Sequence, residues 1–119
     1  MRNPPPARIP DLKISERQVR EVTVLDLEGK ITGSLLGNAI RRLPGQRRKK
    51  ILLSFAKVES IDSNGREDLL KSREMIGKDG GQLKLCRLKP KVRDQLTAAK
   101  QLTTFDVYEK EEEALASFR

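Results

Sequence analysis

The sequence predicts a single α/β domain with a four- to five-stranded mixed sheet and about four helices. Three observations lead there. Its 119 residues fit one domain, which would bury roughly two thirds of the surface exposed by the unfolded chain. Apolar runs of strand character alternate with segments of helical spacing in the order β-β-α-β-α-β-α-β-α, the pattern of strands joined by helical crossovers. Pro and Gly separate these segments, and no internal repeat interrupts them.

Residues 1–10 (MRNPPPARIP) read as a Pro-rich flexible arm, because proline lacks the N–H and fixes φ; the domain then occupies 11–119. Leu12 and Ile14 alternate with charged neighbours, as in a short edge strand. Val22–Gly29 (VTVLDLEG) places Val22, Val24 and Asp26 on one face and Thr23, Leu25 and Leu27 on the other, closed by glycine. The two strands suggest a hairpin turning around Arg17–Arg20.

Leu35, Leu36, Ala39, Ile40 and Leu43 have helical spacing over Ser34–Leu43, and Pro44-Gly45 stops that helix. Ile51–Phe55 is a continuous apolar run, as in a strand covered on both faces. Arg66–Ile76 is helical and ends at Gly77, Gly80 and Gly81; Leu83–Leu88 alternates like a strand; Pro90 suits the first turn of a helix carrying Val92, Leu96 and Ala99. Phe105–Tyr108 is the last strand, and Glu111–Phe118 a last helix with an acidic first turn.

Composition narrows the chemistry. With no His, the chain cannot build a Ser-His-Asp or Cys-His arrangement, and its one Cys supplies neither a thiolate metal cluster nor an intramolecular disulfide. Cys86, inside the apolar run Leu83–Leu88, reads as a buried, reduced thiol. Glu111, Glu112 and Glu113 could be imagined as acids, but nothing in the sequence pairs them with a base, so the expectation is no enzyme, no metal and no cofactor. Residues 1–10 lack a signal peptide's apolar core and no run is long enough to span a membrane, so a cytoplasmic protein without membrane insertion is expected.

The net charge of +8 is uneven: Arg41–Lys50 carries +6 and Gly81–Lys100 carries +5. Six cations in ten residues could contact phosphates, but no aromatic residue is interleaved with them, which argues against nucleic-acid binding.

The segment that carries chemistry is Val58–Gly65 (VESIDSNG), where small polar residues precede a helix beyond the C-terminal end of a buried strand. A phosphate on Ser63 would lie in the positive field of that helix start. Asp-Ser-Asn-Gly is also ordinary cap chemistry, and Asn64 with Glu67 three residues on resembles a capping box with Asn64 as the cap.

VTVLDLEG, KILLSF (50–55), VESIDSNG, GGQLKL (80–85), Lys91-Val92-Arg93 and FDVYEKEEEALASF (105–118) occur in the order and spacing of the STAS domain, whose family includes the bacterial anti-sigma factor antagonists. The resemblance covers about residues 11–118 and is most specific around Ile61-Asp62-Ser63. It implies that Ser63 is the phospho-acceptor, with Asp62, Ser63, Asn64, Gly65, Arg66 and Glu67 on the partner-binding surface. It also implies partner switching: the unphosphorylated form binds an anti-sigma factor that is a serine kinase, and phosphorylation at Ser63 releases it. Asn64 stands where many members have a second hydroxyl, Arg66-Glu67 where they have apolar or small residues, and Ser54 where an acidic or amide residue is common. These departures keep a second setting open: a non-switching STAS scaffold, or an accessory subunit of a lipid transporter or stress-sensing complex. The implied partner is a protein, and a homodimer remains open.

Overall fold

In a computed structural model, residues 12–43, 49–100 and 104–118 are described. The proposed arm 1–10, the stop at Pro44-Gly45 and the cations Arg47 and Arg48 lie outside them. The elements are β1 (Leu12–Val19), β2 (Val22–Ile31), α1 (Leu35–Arg41), β3 (Lys50–Ile61), α2 (Ser63–Lys78), β4 (Gln82–Cys86), α3 (Pro90–Ala98), β5 (Asp106–Tyr108) and α4 (Glu111–Ser117).

The strands lie in sequence order, β1-β2-β3-β4-β5. β1 pairs antiparallel with β2 and all later pairs are parallel, giving the expected mixed sheet. Each helical connection steps one strand in the same direction, so the right-handed rule for parallel crossovers sends α1, α2 and α3 to one face. There Leu25, Leu27, Ile51, Leu53, Phe55 and Leu85 of the sheet share a core with Leu36, Ile40, Leu69, Ile76, Val92 and Leu96 of the helices. Among the described residues the other face receives only α4, over a smaller cluster of Val22, Val24, Leu52, Cys86 and Ala114.

Several boundaries differ from expectation, each for a local reason. The hairpin turns at Arg20-Glu21 rather than around Arg17–Arg20, because pairing continues to Val19↔Val22; Arg20 takes a left-handed φ of 56°. β2 passes Gly29 to reach Ile31, and a register irregularity between Gly29 and Lys30 is accommodated by a φ of 110° at Gly29. That added length pairs with β3, which runs to Ile61 instead of stopping at Phe55. β4 ends at Cys86 because Arg87 takes a φ of 61°.

α4 is clasped at both ends. Arg17 donates to Glu111 Oε1 at 2.8 Å and Oε2 at 3.3 Å, while also donating to both carboxylate oxygens of Asp26 at 2.5 and 3.0 Å. The hydrogen bonds that Arg17 donates to Asp26 and then to Glu111 raise its pKa above the usual range. The Glu111 pairing was not anticipated in the sequence, where the three glutamates read only as an exposed acidic turn. At the other end the buried Lys84 ammonium donates to Ser117 O at 3.1 Å and Ser117 Oγ at 2.8 Å, and lies 4.9 Å from the Phe118 ring centroid. A cation at a helix C-terminus and over an aromatic face is doubly favourable.

α1 and α2 are joined by a buried polar contact. Ser34 makes no side-chain cap to α1; the Asp68 carboxylate on α2 instead accepts from the Gly37 N–H at 2.7 Å. A Cβ at position 37 would collide with that carboxylate. Gly37→Ala is therefore expected to destabilise the protein by about 1–3 kcal/mol, the usual cost of disturbing a buried hydrogen-bonded group. Gly77, in the last turn of α2, has nothing within 4 Å of a built Cβ, so Gly77→Ala should instead stabilise by roughly 0.5–1 kcal/mol. Urea denaturation midpoints of the two variants test this opposition.

Candidate functional site

β2 and β3 end side by side at Ile31 and Ile61. The Ile61 N–H donates to Gln95 Oε1 on α3 at 3.0 Å, and the Asp62 N–H donates to Ile31 O at 3.1 Å. With these donors satisfied the chain turns into α2 in one residue. Asp62 has extended backbone (φ −88°, ψ 178°) and is the N-cap: its Oδ1 accepts from the Gly65 N–H at 2.6 Å, while its carbonyl accepts from the Arg66 N–H at 2.9 Å. The cap is thus Asp62, two residues before the expected Asn64. No Asn64–Glu67 capping box forms, because α2 starts at Ser63 rather than Arg66.

That start places the expected residues as follows. Ser63 is the first helical residue and is exposed, as are Asp62, Asn64 and Glu67; Arg66 is half-buried and donates from Nη1 to Ile61 O at a long 3.4 Å. Gly65 is buried, and its contribution is closeness: a Cβ there would stand 2.5 Å from Ile31 O and 3.1 Å from Asp62 Oδ1. Only glycine lets the first turn of α2 lie against the end of β2. Asp68 turns inward to α1, so of the two acids following Arg66 only Glu67 faces solvent near Ser63.

The arrangement can present a hydroxyl to another enzyme, and it can stabilise a negative charge there through the helix dipole. Among the described residues, no three His, Cys, Asp or Glu side chains come together to hold a metal. Among the described residues, no helix is long and apolar enough to cross a membrane.

Two features outside this turn were not legible in the sequence. A polar cleft of about 390 Å³ lies on the α4 face where that helix does not reach, lined by Lys13, Arg17, Asp26, Ser54, Arg87 and Glu111 among others. Ser54, one of its lining residues, is buried. Three of the four described cations of the basic segment, meanwhile, have partners within the chain: Lys50 pairs with Glu21 at 2.8 Å, Lys49 donates to Asp79 O at 2.8 Å, and Arg41 bonds Asn38. Lys50 opens β3 and Ile61 closes it, so at the rise of an extended strand Lys49 and Lys50 lie roughly 35 Å from the Ser63 turn.

The fold and its turn define a class. The model of the STAS domain family matches residues 13–114, and the chain belongs to that family. Its structure is similar to an anti-sigma factor antagonist from Mycobacterium paratuberculosis, with a TM-score of 0.77 at 21% identity over 91% of this chain and 94% of that one. It is also similar to the anti-sigma factor antagonist SpoIIAA in its unphosphorylated form, with a TM-score of 0.63 at 20% identity over 87% and 93%. A sulfate transporter family protein from Wolinella succinogenes has a TM-score of 0.70 at 18% identity over 82% and 84%. Comparison with curated protein sequences finds no match. At these identities the structural likeness shows the shared fold.

If Asp62 is the cap, Asp62→Ala should cost about 1 kcal/mol of stability, and Asn64→Ala should stay within about 0.5 kcal/mol of the parent. Chemical denaturation of both variants, read by far-UV circular dichroism, separates the Asp62 cap from an Asn64 cap.

Proposed function

We propose that this protein is a non-enzymatic binding module of the anti-sigma factor antagonist type, acting in the bacterial cytoplasm and switched by phosphorylation of Ser63. The observation that carries the reading is the display of Ser63: an exposed hydroxyl at the first position of a helix capped by the preceding aspartate. In the unphosphorylated form the surface formed by Asp62, Ser63, Asn64, Arg66 and Glu67, brought close to the sheet by Gly65, docks on an anti-sigma factor with serine kinase activity. Phosphorylation adds about −1.5 to −2 charges in the middle of that surface. Against an apolar or acidic partner the added charge brings repulsion and a desolvation cost, so the complex separates. The antagonist itself stays folded, since a dianion at a helix N-terminus is favoured by the dipole.

A second reading keeps the fold and removes the switch: a STAS scaffold, or an accessory subunit of a transporter or stress-sensing complex. The similarity to a sulfate transporter family protein and the charged Arg66-Glu67 pair favour it. A nucleic-acid role is disfavoured by the local partners of Lys49, Lys50 and Arg41.

Incubation with the cognate serine kinase and ATP should place one phosphate on Ser63 by mass spectrometry. In titration calorimetry Ser63→Ala should bind the kinase like the parent, and Ser63→Asp at least tenfold more weakly. Absence of phosphate on Ser63, or equal binding by the two variants, refutes the switch and leaves the scaffold. Sedimentation of the chain alone tests a second copy as the occupant of the same face.

A further inference from the structure

The two sheet faces are covered very differently. Three helices and a continuous core seal one; among the described residues the other is covered by α4 alone, whose seven residues are fewer than an isolated helix needs to persist in water. Of α4 only Ala114 is fully buried, with Leu115 and Phe118 partly buried against Val22, Val24, Leu52 and Cys86. That cluster is separate from the main core. Polar contacts fasten the two ends of α4 to the sheet: Arg17 holds Glu111 at its start, and Lys84 holds Ser117 at its end. The Arg17–Glu111 pair is partly exposed, with side chains 43% and 24% accessible, so salt reaches it. Beside it lies the open polar cleft, to which Arg17, Asp26 and Glu111 already contribute walls.

We propose that α4 is a latched cover that opens as a unit without unfolding the domain, and that the Arg17–Glu111 ion pair is its latch. Opening extends the cleft into the strip of Val22, Val24, Leu52 and Cys86 that α4 covers. The main core shares no side chain with that strip, so the remainder of the domain keeps its packing, as in local opening of a small cooperative unit. The device does not depend on Ser63 or on the proposed function.

Cys86 is the built-in reporter. It is the one cysteine of the chain and is wholly buried beneath this cover; burial also pushes its thiol up to about 11, with the Ser54 hydroxyl opposing. A thiol reagent therefore reacts only when Cys86 becomes exposed, and the rate of modification of the full chain reads the opening equilibrium. Glu111→Gln should raise the rate about two- to fivefold at low salt, the range for a partly exposed ion pair. Raising salt to about 1 M should produce a similar rise in the parent and little further rise in the variant. Asp26→Asn, which leaves Glu111 as the acid paired with Arg17, should not raise the rate. Amide hydrogen exchange of 114–118 should accelerate in step with Cys86 while β3 and α2 are unchanged. A rate insensitive to Glu111→Gln and to salt, an equal rise in Asp26→Asn, or exchange of α4 that merely tracks β3 would each overturn the latch.

Discussion

Strands laid down in sequence order, joined by connections of one hand, constrain the rest of this molecule. Because each crossover steps the same way, α1, α2 and α3 have no choice of face, and the hydrophobic residues of β2, β3 and β4 divide accordingly. Leu25, Leu53 and Leu85 face three helices, whereas Val24, Leu52 and Cys86 must make do with one short one. The same order brings the ends of β2 and β3 together, and there the chain has to leave a long buried strand and start a helix in a single residue. An aspartate that caps and a glycine that permits contact meet that demand.

The rigidity of this turn bears on the switch proposed for it. Asp62 is tied to β2 through its N–H and to α2 through its carboxylate, while Asp68, one and a half turns further on, secures α2 to α1. Ser63 therefore projects from a frame held on three sides. A change of charge at its hydroxyl alters what a neighbour meets at the surface, with little to deform underneath. Such a frame suits recognition by shape and charge, in which discrimination comes from placing an unfavourable group against the partner rather than from refolding.

The element order was legible in the sequence, because periods of two and 3.6 survive wherever one face is buried. Val22/Val24 against Leu25/Leu27 separated the two faces of β2 correctly, and burial of Cys86 followed from its apolar neighbours. What failed were the positions where a local signal competed with a distant one. Gly29 looked like a strand end because glycine usually punctuates, but pairing with β3 carried the backbone through it. Asn64 looked like a cap because its side chain and Glu67 fit a familiar spacing; Asp62 won because β3 delivers the extended backbone a cap needs. Of the site residues, Asp62 and Ser63 were legible by type and order. The role of Gly65 was not, since Ile31 lies thirty-four positions earlier and no short-range pattern reports the contact. Arg17, Asp26 and Glu111 were hidden for the same reason, their meeting depending on how α4 folds back over the sheet.

Arg17 makes two ion pairs of very different reach: Asp26 lies nine residues away and Glu111 ninety-four. During synthesis, which proceeds from the N-terminal side, the hairpin and its Arg17–Asp26 pair can form while nearly all of the helices are still unmade. Glu111 arrives after β4 and β5 have been translated, and finds the guanidinium already oriented by its neighbour. Were the hairpin to persist on the nascent chain, Asp26 would keep the cation on the correct face of the first two strands until the last helix is available to meet it.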